Sequence, residues 1–272
     1  MESKLRESLR LKFEPVAIYW TNNLAAGAKQ FAKGKWGCVM MMYAQAAKGK
    51  TVAFDRETFG CMGGAVGLGF GNVYERWPGG IDCFYRFLST GNENTAEGKA
   101  MLEKLGGNIS KEGLGNFLYG ERYCKTPEIA KKFVESLPMV DVPEKYVVMR
   151  PLKDVDLNQE PPKVISLLAD CDQLSALIVL ANYAREKTDN VTVRFGAACH
   201  QVGILPLHEA ASEHPRAVLG MTDLSARENI KNQIGHDHLA FSVPLKMFLE
   251  MEGNVEGSFL ERPTWKELSG DK

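Results

Sequence analysis

Residues 59–71 read FGCMGGAVGLGFG, six glycines and one cysteine in thirteen positions. No other stretch limits the fold as strongly. Glycine lacks a Cβ, so such a run either turns the chain through conformations other residues avoid or admits a second backbone at very short range. A phosphate cradle would be one use. The dinucleotide fingerprint G-x-G-x-x-G needs a third glycine where this chain, after Gly67 and Gly69, has Asn72. No G-K-[ST] is present either, which excludes a P-loop. What remains is close packing of a small-residue helix against a neighbour, or space kept open beside Cys61.

Cysteine placement sharpens the second option. Cys61 stands at the expected N-terminus of the glycine segment. Cys38 stands at that of an apolar helix spanning 38–47 in GKWGCVMMMYAQAAKGK. A helix N-terminus offers unpaired N–H groups and the positive end of the dipole, which predicts a lowered thiol pKa and a thiolate. Cys199 follows the expected strand VTVRFG through Ala197 and Ala198, at a strand end where open α/β sheets gather functional residues. Gly37, Gly63, Gly64, Ala197 and Ala198 would leave room for a bulky inorganic group around the three sulfurs. Thiolates from Cys38, Cys61 and Cys199, with Cys83 as a fourth, meet the ligand count of an iron–sulfur cluster, although their separations match no ferredoxin spacing. Three ligands would leave one iron open, and a fourth would close the cluster.

Zinc held by cysteines and a histidine is the alternative metal. The five histidines, His200, His208, His214, His236 and His238, all fall between positions 200 and 238. His200 adjoins Cys199. His236 and His238 are two apart, a spacing that shares one face of a strand. Against both metals stand ordinary surface histidines and a single cysteine nucleophile activated by His200 or a distant histidine. A further competitor is a non-enzymatic small-ligand-binding protein in which the cysteines merely pack.

The rest of the chain frames this choice. Lys plus Arg is 33 and Asp plus Glu is 34 over 272 residues, so no concentrated basic face is expected for nucleic acid or an anionic membrane. No run approaches the roughly 20 apolar residues of a membrane span, and the N-terminal MESKLRESLRLKFEP reads as a short amphipathic helix. The expectation is a cytoplasmic chain with reduced thiols and a small molecule or redox protein as its partner. Self-association into a homo-oligomer stays open. PVAIYW (15–20), KYVVMRPL (145–152), VISLLAD (164–170), VTVRFG (191–196), RAVLGM (216–221) and HLAFSV (238–243) read as strands, and TVAFDRETF (51–59) as a strand and turn. DQLSALIVLANYARE reads as a helix capped by Asp172, KTPEIAKKFVESLP as a helix opened by Pro127, and PLKMFLEMEG as one opened by Pro244. Residues 90–143 read as helices with polar loops. The pattern predicts a mixed α+β fold, one domain over residues 1–272, with a lobe boundary near 138–162.

WGCVMM, CMGGAVGLGFG, GERYCKTPEIAKKFVESLP, FGAAC and FSVP, in this order over roughly residues 15–255, resemble the domain of unknown function 169 family. The resemblance implies a mostly uncharacterised bacterial and archaeal protein type and supplies no reaction. It implies that Cys38, Cys61 and Cys199 match cysteines of the family pattern. Here Asp-Cys-Asp-Gln takes the place of an Asn-Pro-x-Gln run, so Gln173 joins Gly63 and Gly64 as a candidate cofactor-binding residue.

Overall fold

The apolar runs around residues 16, 146, 164 and 239 form the centre of one seven-stranded sheet. The computed structural model describes residues 1–105 and 111–270. Its strands are β1 (Val16–Thr21), β2 (Val52–Phe54), β3 (Tyr146–Pro151), β4 (Val164–Ala169), β5 (Val191–Thr192), β6 (Ala217–Gly220) and β7 (Leu239–Pro244). They lie in the order β2-β3-β1-β4-β7-β6-β5. Neighbours are antiparallel except β5 and β6, which run parallel. The α+β reading therefore holds, with a mixed sheet.

Helices α1 (Lys4–Ser8), α2 (Val39–Ala47) and α3 (Met62–Leu68) precede a helical stretch of α4 (Ile81–Phe87), α5 (Ala96–Leu105), α6 (Lys111–Tyr119) and α7 (Pro127–Glu135). After it come α8 (Cys171–Asn182), α9 (Ala198–Val202), α10 (Ile204–Ala210), α11 (Leu224–Ile234), α12 (Leu245–Gly253) and α13 (Pro263–Leu268). The chain divides into two compact units, residues 1–71 with 140–272, and residues 72–139. The first junction thus precedes the stretch 138–162 and the second falls within it. The expected helices and polar loops of residues 90–143 include residues 106–110, which lie outside those described.

In the sheet unit, β1 and β4 are buried almost end to end, as strands covered on both faces must be. Register sorts their side chains. Ala17 opposes Arg150 and Ile165, Tyr19 opposes Val148, and Leu167 opposes Phe241. These residues share one face, packed with Leu5 and Leu9 by α1, Leu174 and Leu177 of α8, Phe248 of α12 and Trp265 of α13. The other face presents Ile18, Trp20, Ser166 and Ser242 to α2, α9 and α10. There the Tyr43 hydroxyl of α2 lies 2.8 Å from Ser166 Oγ, which lies 2.8 Å from Ser242 Oγ, all three residues fully buried. The chain of hydroxyls satisfies polar groups that would otherwise be costly in a dry core.

Two local expectations need correction. Helix α8 is capped by Asp170, not Asp172: the Asp170 carboxylate accepts from Gln173 N–H while Gln173 Oε1 accepts from Asp170 N–H, a complete capping box. The strand expected over 191–196 stops at Thr192. It sits at the sheet edge beside β6 alone, and Val193 and Phe195 beyond it are exposed. In the second unit, residues 72–139, Tyr74 stacks on Phe84 with centroids 3.9 Å apart, and Trp77 packs against Phe84 and Phe87. Buried Asn92 holds α4 to α6 by donating to Cys83 O and Phe117 O.

A candidate thiol site

Three cysteines far apart in sequence each sit at or near the start of a helix packed on one side of the sheet. Cys38 is the N-cap of α2 and Cys61 the N-cap of α3. Cys199 is the second residue of α9, not the end of a strand. The Cys61 sulfur accepts from Gly64 N–H at 3.2 Å, and the Cys199 thiol donates to Gly63 O at 2.9 Å. Gly63 and Gly64 thus touch two of the three sulfurs.

The glycines also explain how α3 and α9 meet. A Cβ on Gly67 would fall 2.6 Å from the Cys199 carbonyl carbon and 2.8 Å from His200 N. A Cβ on Gly203 would run into Gly67 O, and one on Gly64 would lie 2.8 Å from Phe59 O. The run FGCMGGAVGLGFG is therefore mainly a packing surface, where backbone meets backbone. At its end Gly69 adopts φ +87° and closes α3 in the left-handed conformation.

A fourth acid completes the surroundings. Asp223, the N-cap of α11, accepts from Ala226 N–H with Oδ1 and from Ala198 N–H with Oδ2, both at 3.2 Å. One carboxylate therefore pins the starts of α9 and α11 together. Gln201 reinforces the junction: its Nε2 donates to Arg194 O at 2.8 Å and to Thr222 Oγ1 at 2.6 Å, while its Oε1 accepts from Thr222 N–H. Gln201 packs directly under Gly220 of β6.

Burial governs the ionisation of these groups. It pushes the Cys38 thiol up, although the N–H groups of Met40 and Met41 and the Asn229 side chain favour its anion. It pushes Cys61 up to about 12, with the charges of Cys38 and Asp223 adding to the effect. Cys199 is held well above the ordinary thiol range by burial, then by Cys61, Cys38 and Asp223. The expected lowering by helix N-termini is thus overturned: the amides act in the expected direction, but desolvation outweighs them. The mutual charge effects place the three thiols and Asp223 within electrostatic reach of one another. Burial pushes His200 down to about 3, so its imidazole is neutral at physiological pH.

The remaining candidates sit elsewhere. Cys83 belongs to the second unit, where Arg86 Nη2 lies 3.4 Å from its sulfur. The Gln173 amide is engaged in the capping box and donates to Leu9 O and Arg10 O, fixing the segment after α1. His236 and His238 precede β7 instead of sharing a strand face. His236 is exposed, while buried His238 contacts Asp237 Oδ1 at 2.8 Å through Nδ1 and meets the Phe13 ring edge-on. His208 and His214 are exposed. All six cysteines are free thiols. Among the described residues, no group of three or more His, Cys, Asp or Glu side chains is arranged to hold a metal ion as it stands. No described helix is long and apolar enough to cross a membrane.

Asp223, Asn229 and Gln201 were not anticipated. A signal for α11 existed: an Asp N-cap ahead of Ala226, Ile230 and Ile234 at four-residue spacing. Gln201 carried none, since its role depends on a contact with Gly220, 19 positions along the chain.

No curated protein and no solved structure matches the chain. A family model does match, over residues 4–254, and it takes in every helix and strand of the thiol site. The chain belongs to that family, DUF169, described as uncharacterised ArCR.

Proposed function

We propose that the chain is a cytoplasmic metal-binding protein that takes an iron–sulfur cluster on Cys38, Cys61 and Cys199 for redox or small-molecule chemistry. One observation carries the reading. The Cys199 thiol rests on Gly63 O at 2.9 Å and the Cys61 sulfur on Gly64 N–H at 3.2 Å, so two sulfurs meet neighbouring residues of α3, with Cys38 and Asp223 near enough to act on Cys199 and burial opposing the charge of each thiol. A bound cation would reverse that opposition, because each thiol would then lose its proton against a positive neighbour. The donor set fits the softness of iron or zinc. Cys199 would give up its bond to Gly63 O, and Gly64 N–H would continue to donate to the Cys61 sulfur. When bound, a cluster supplies electron transfer, or an open iron if only three thiolates ligate it.

The test is strictly anaerobic purification with iron, sulfide and zinc assays and a visible absorption spectrum. Iron and sulfide in stoichiometric amounts, lost in Cys61→Ser with unchanged circular dichroism, support the cluster. Stoichiometric zinc without colour makes the site a zinc centre instead. Metal-free protein refutes both and leaves packed thiols.

A further inference from the structure

The opposite face of the sheet carries a cleft that the thiol reading does not use. β1 sends Tyr19 and Thr21 into it, and β3 sends Val148 and Arg150. Its volume is about 210 Å³, below the roughly 300 Å³ at which pockets for drug-sized ligands begin. A small metabolite is the size class that fits.

The polar groups are disposed in a specific way. Arg150 Nη2 donates to the Tyr19 hydroxyl at 3.0 Å and to Glu160 Oε2 at 3.3 Å, with the guanidinium 4.6 Å from the Tyr19 ring centroid. Thr21 donates to Glu160 Oε1 at 3.1 Å. Arg150 Nε is buried and makes no hydrogen bond. That atom is closed off from the cleft, so a ligand there would meet the terminal Nη edge of the guanidinium, in a side chain that keeps 19% of its surface exposed. Each Glu160 oxygen has one protein donor and can take a second. Leu24 and Ala25 supply an apolar wall with Val148.

Charge decides the ligand class. A simple carboxylate accepting from Arg150 would face the Glu160 anion, and a simple amine at Glu160 would face the Arg150 cation. A molecule bearing both charges satisfies each at once. We propose that this cleft binds a free α-amino acid with a small aliphatic side chain, its carboxylate on Arg150, its ammonium on Glu160, and its side chain against Leu24, Ala25 and Val148. The inference is independent of the thiol site and of any metal.

Isothermal titration of the full chain with L-valine, isovalerate and isobutylamine tests it, since the last two each lack one of valine's charges. Valine is expected to bind, with both analogues weaker by about tenfold or more, the weight of one charge-assisted hydrogen bond. Glu160→Gln keeps an acceptor for Thr21 and changes the more exposed partner of the pair, so folding should survive; circular dichroism checks this. That variant should weaken valine by about tenfold or more and leave isovalerate unchanged or tighter. Arg150→Met should abolish valine binding, but Glu160→Gln remains decisive if the methionine variant misfolds. Absence of valine binding at millimolar concentration, equal binding of either analogue, or an unaltered valine affinity in Glu160→Gln overturns the assignment.

Discussion

Replacing Gly67 by alanine probes the contact that brings Cys199 to α3. In an open helix the exchange stabilises, because alanine has the better helix propensity by about 0.8–1 kcal/mol. At Gly67 the new methyl would meet the Cys199 carbonyl carbon at 2.6 Å and its oxygen at 2.7 Å, whereas ordinary contact begins at 3.4 Å. The shortfall is about 0.8 Å, and it is against backbone, which cannot rotate away as a side chain can. Overpacking of this kind costs roughly 1–3 kcal/mol. The propensity gain offsets part of it, so Gly67→Ala should be net destabilising by up to about 2 kcal/mol. Gly253→Ala at the end of α12 is the control, since its Cβ meets nothing within 4 Å. Urea unfolding of wild type and both variants, followed by tryptophan fluorescence, gives the two differences. The control should be neutral or slightly stabilised. If Gly67→Ala matches or exceeds wild-type stability, the close crossing of α3 and α9 is wrong, and with it the convergence of the thiols.

Other outcomes follow from the same coordinates. Ser166→Ala removes the middle of the buried hydroxyl chain and strips a partner from both Tyr43 and Ser242, so it should cost more than Tyr43→Phe, which should lose about 0.5–1.5 kcal/mol by chemical denaturation. Buried His200 stays neutral down to about pH 3, whereas an unfolded histidine takes a proton near 6.5. The unfolded state then binds the extra proton between those values, so stability falls as pH drops below about 6.5, by up to about 1.4 kcal/mol per pH unit from this group. His200→Leu should flatten that slope by a comparable amount, and an identical pH profile would contradict the burial of the ring. Cys171 is the exposed thiol at the first turn of α8, while Cys38, Cys83, Cys124 and Cys199 are buried. Thiol titration of the native chain with Ellman's reagent should show one fast group that Cys171→Ser removes, and a fast phase that persists in the variant would show another thiol to be open.

Much of the sheet was readable because its central strands are apolar on both faces and bounded by proline, glycine or aspartate. VISLLA needs no pattern beyond its own hydrophobicity to become β4, and the proline of KTPEIAKK opens α7 as anticipated. VTVRFG failed for the complementary reason. Its residues favour a strand, but pairing stops at Thr192 although β6 runs on to Gly220, and Arg194 O accepts from Gln201 Nε2 of α9 instead. The polar helix α11 was overlooked because only Ala226, Ile230 and Ile234 face inward. The positions of Cys38 and Cys61 were legible, and their ionisation was not. Cys38 and Cys61 are indeed helix N-caps, yet the sign of their pKa shifts depends on how much water is excluded, which local sequence does not specify.

By itself the sequence determined which segments become strands or helices and which are buried, through hydrophobic runs, caps and the glycines that permit close crossing. Those are properties of neighbouring residues. Only the tertiary structure decided that Cys199 faces Gly63, that Asp223 ties α9 to α11 beside three thiols, and that Arg150 and Glu160 share a cleft with Tyr19. The partners in each case are 10 to 136 positions apart, so their meeting depends on the registry of the whole sheet and the burial it imposes, not on any local preference.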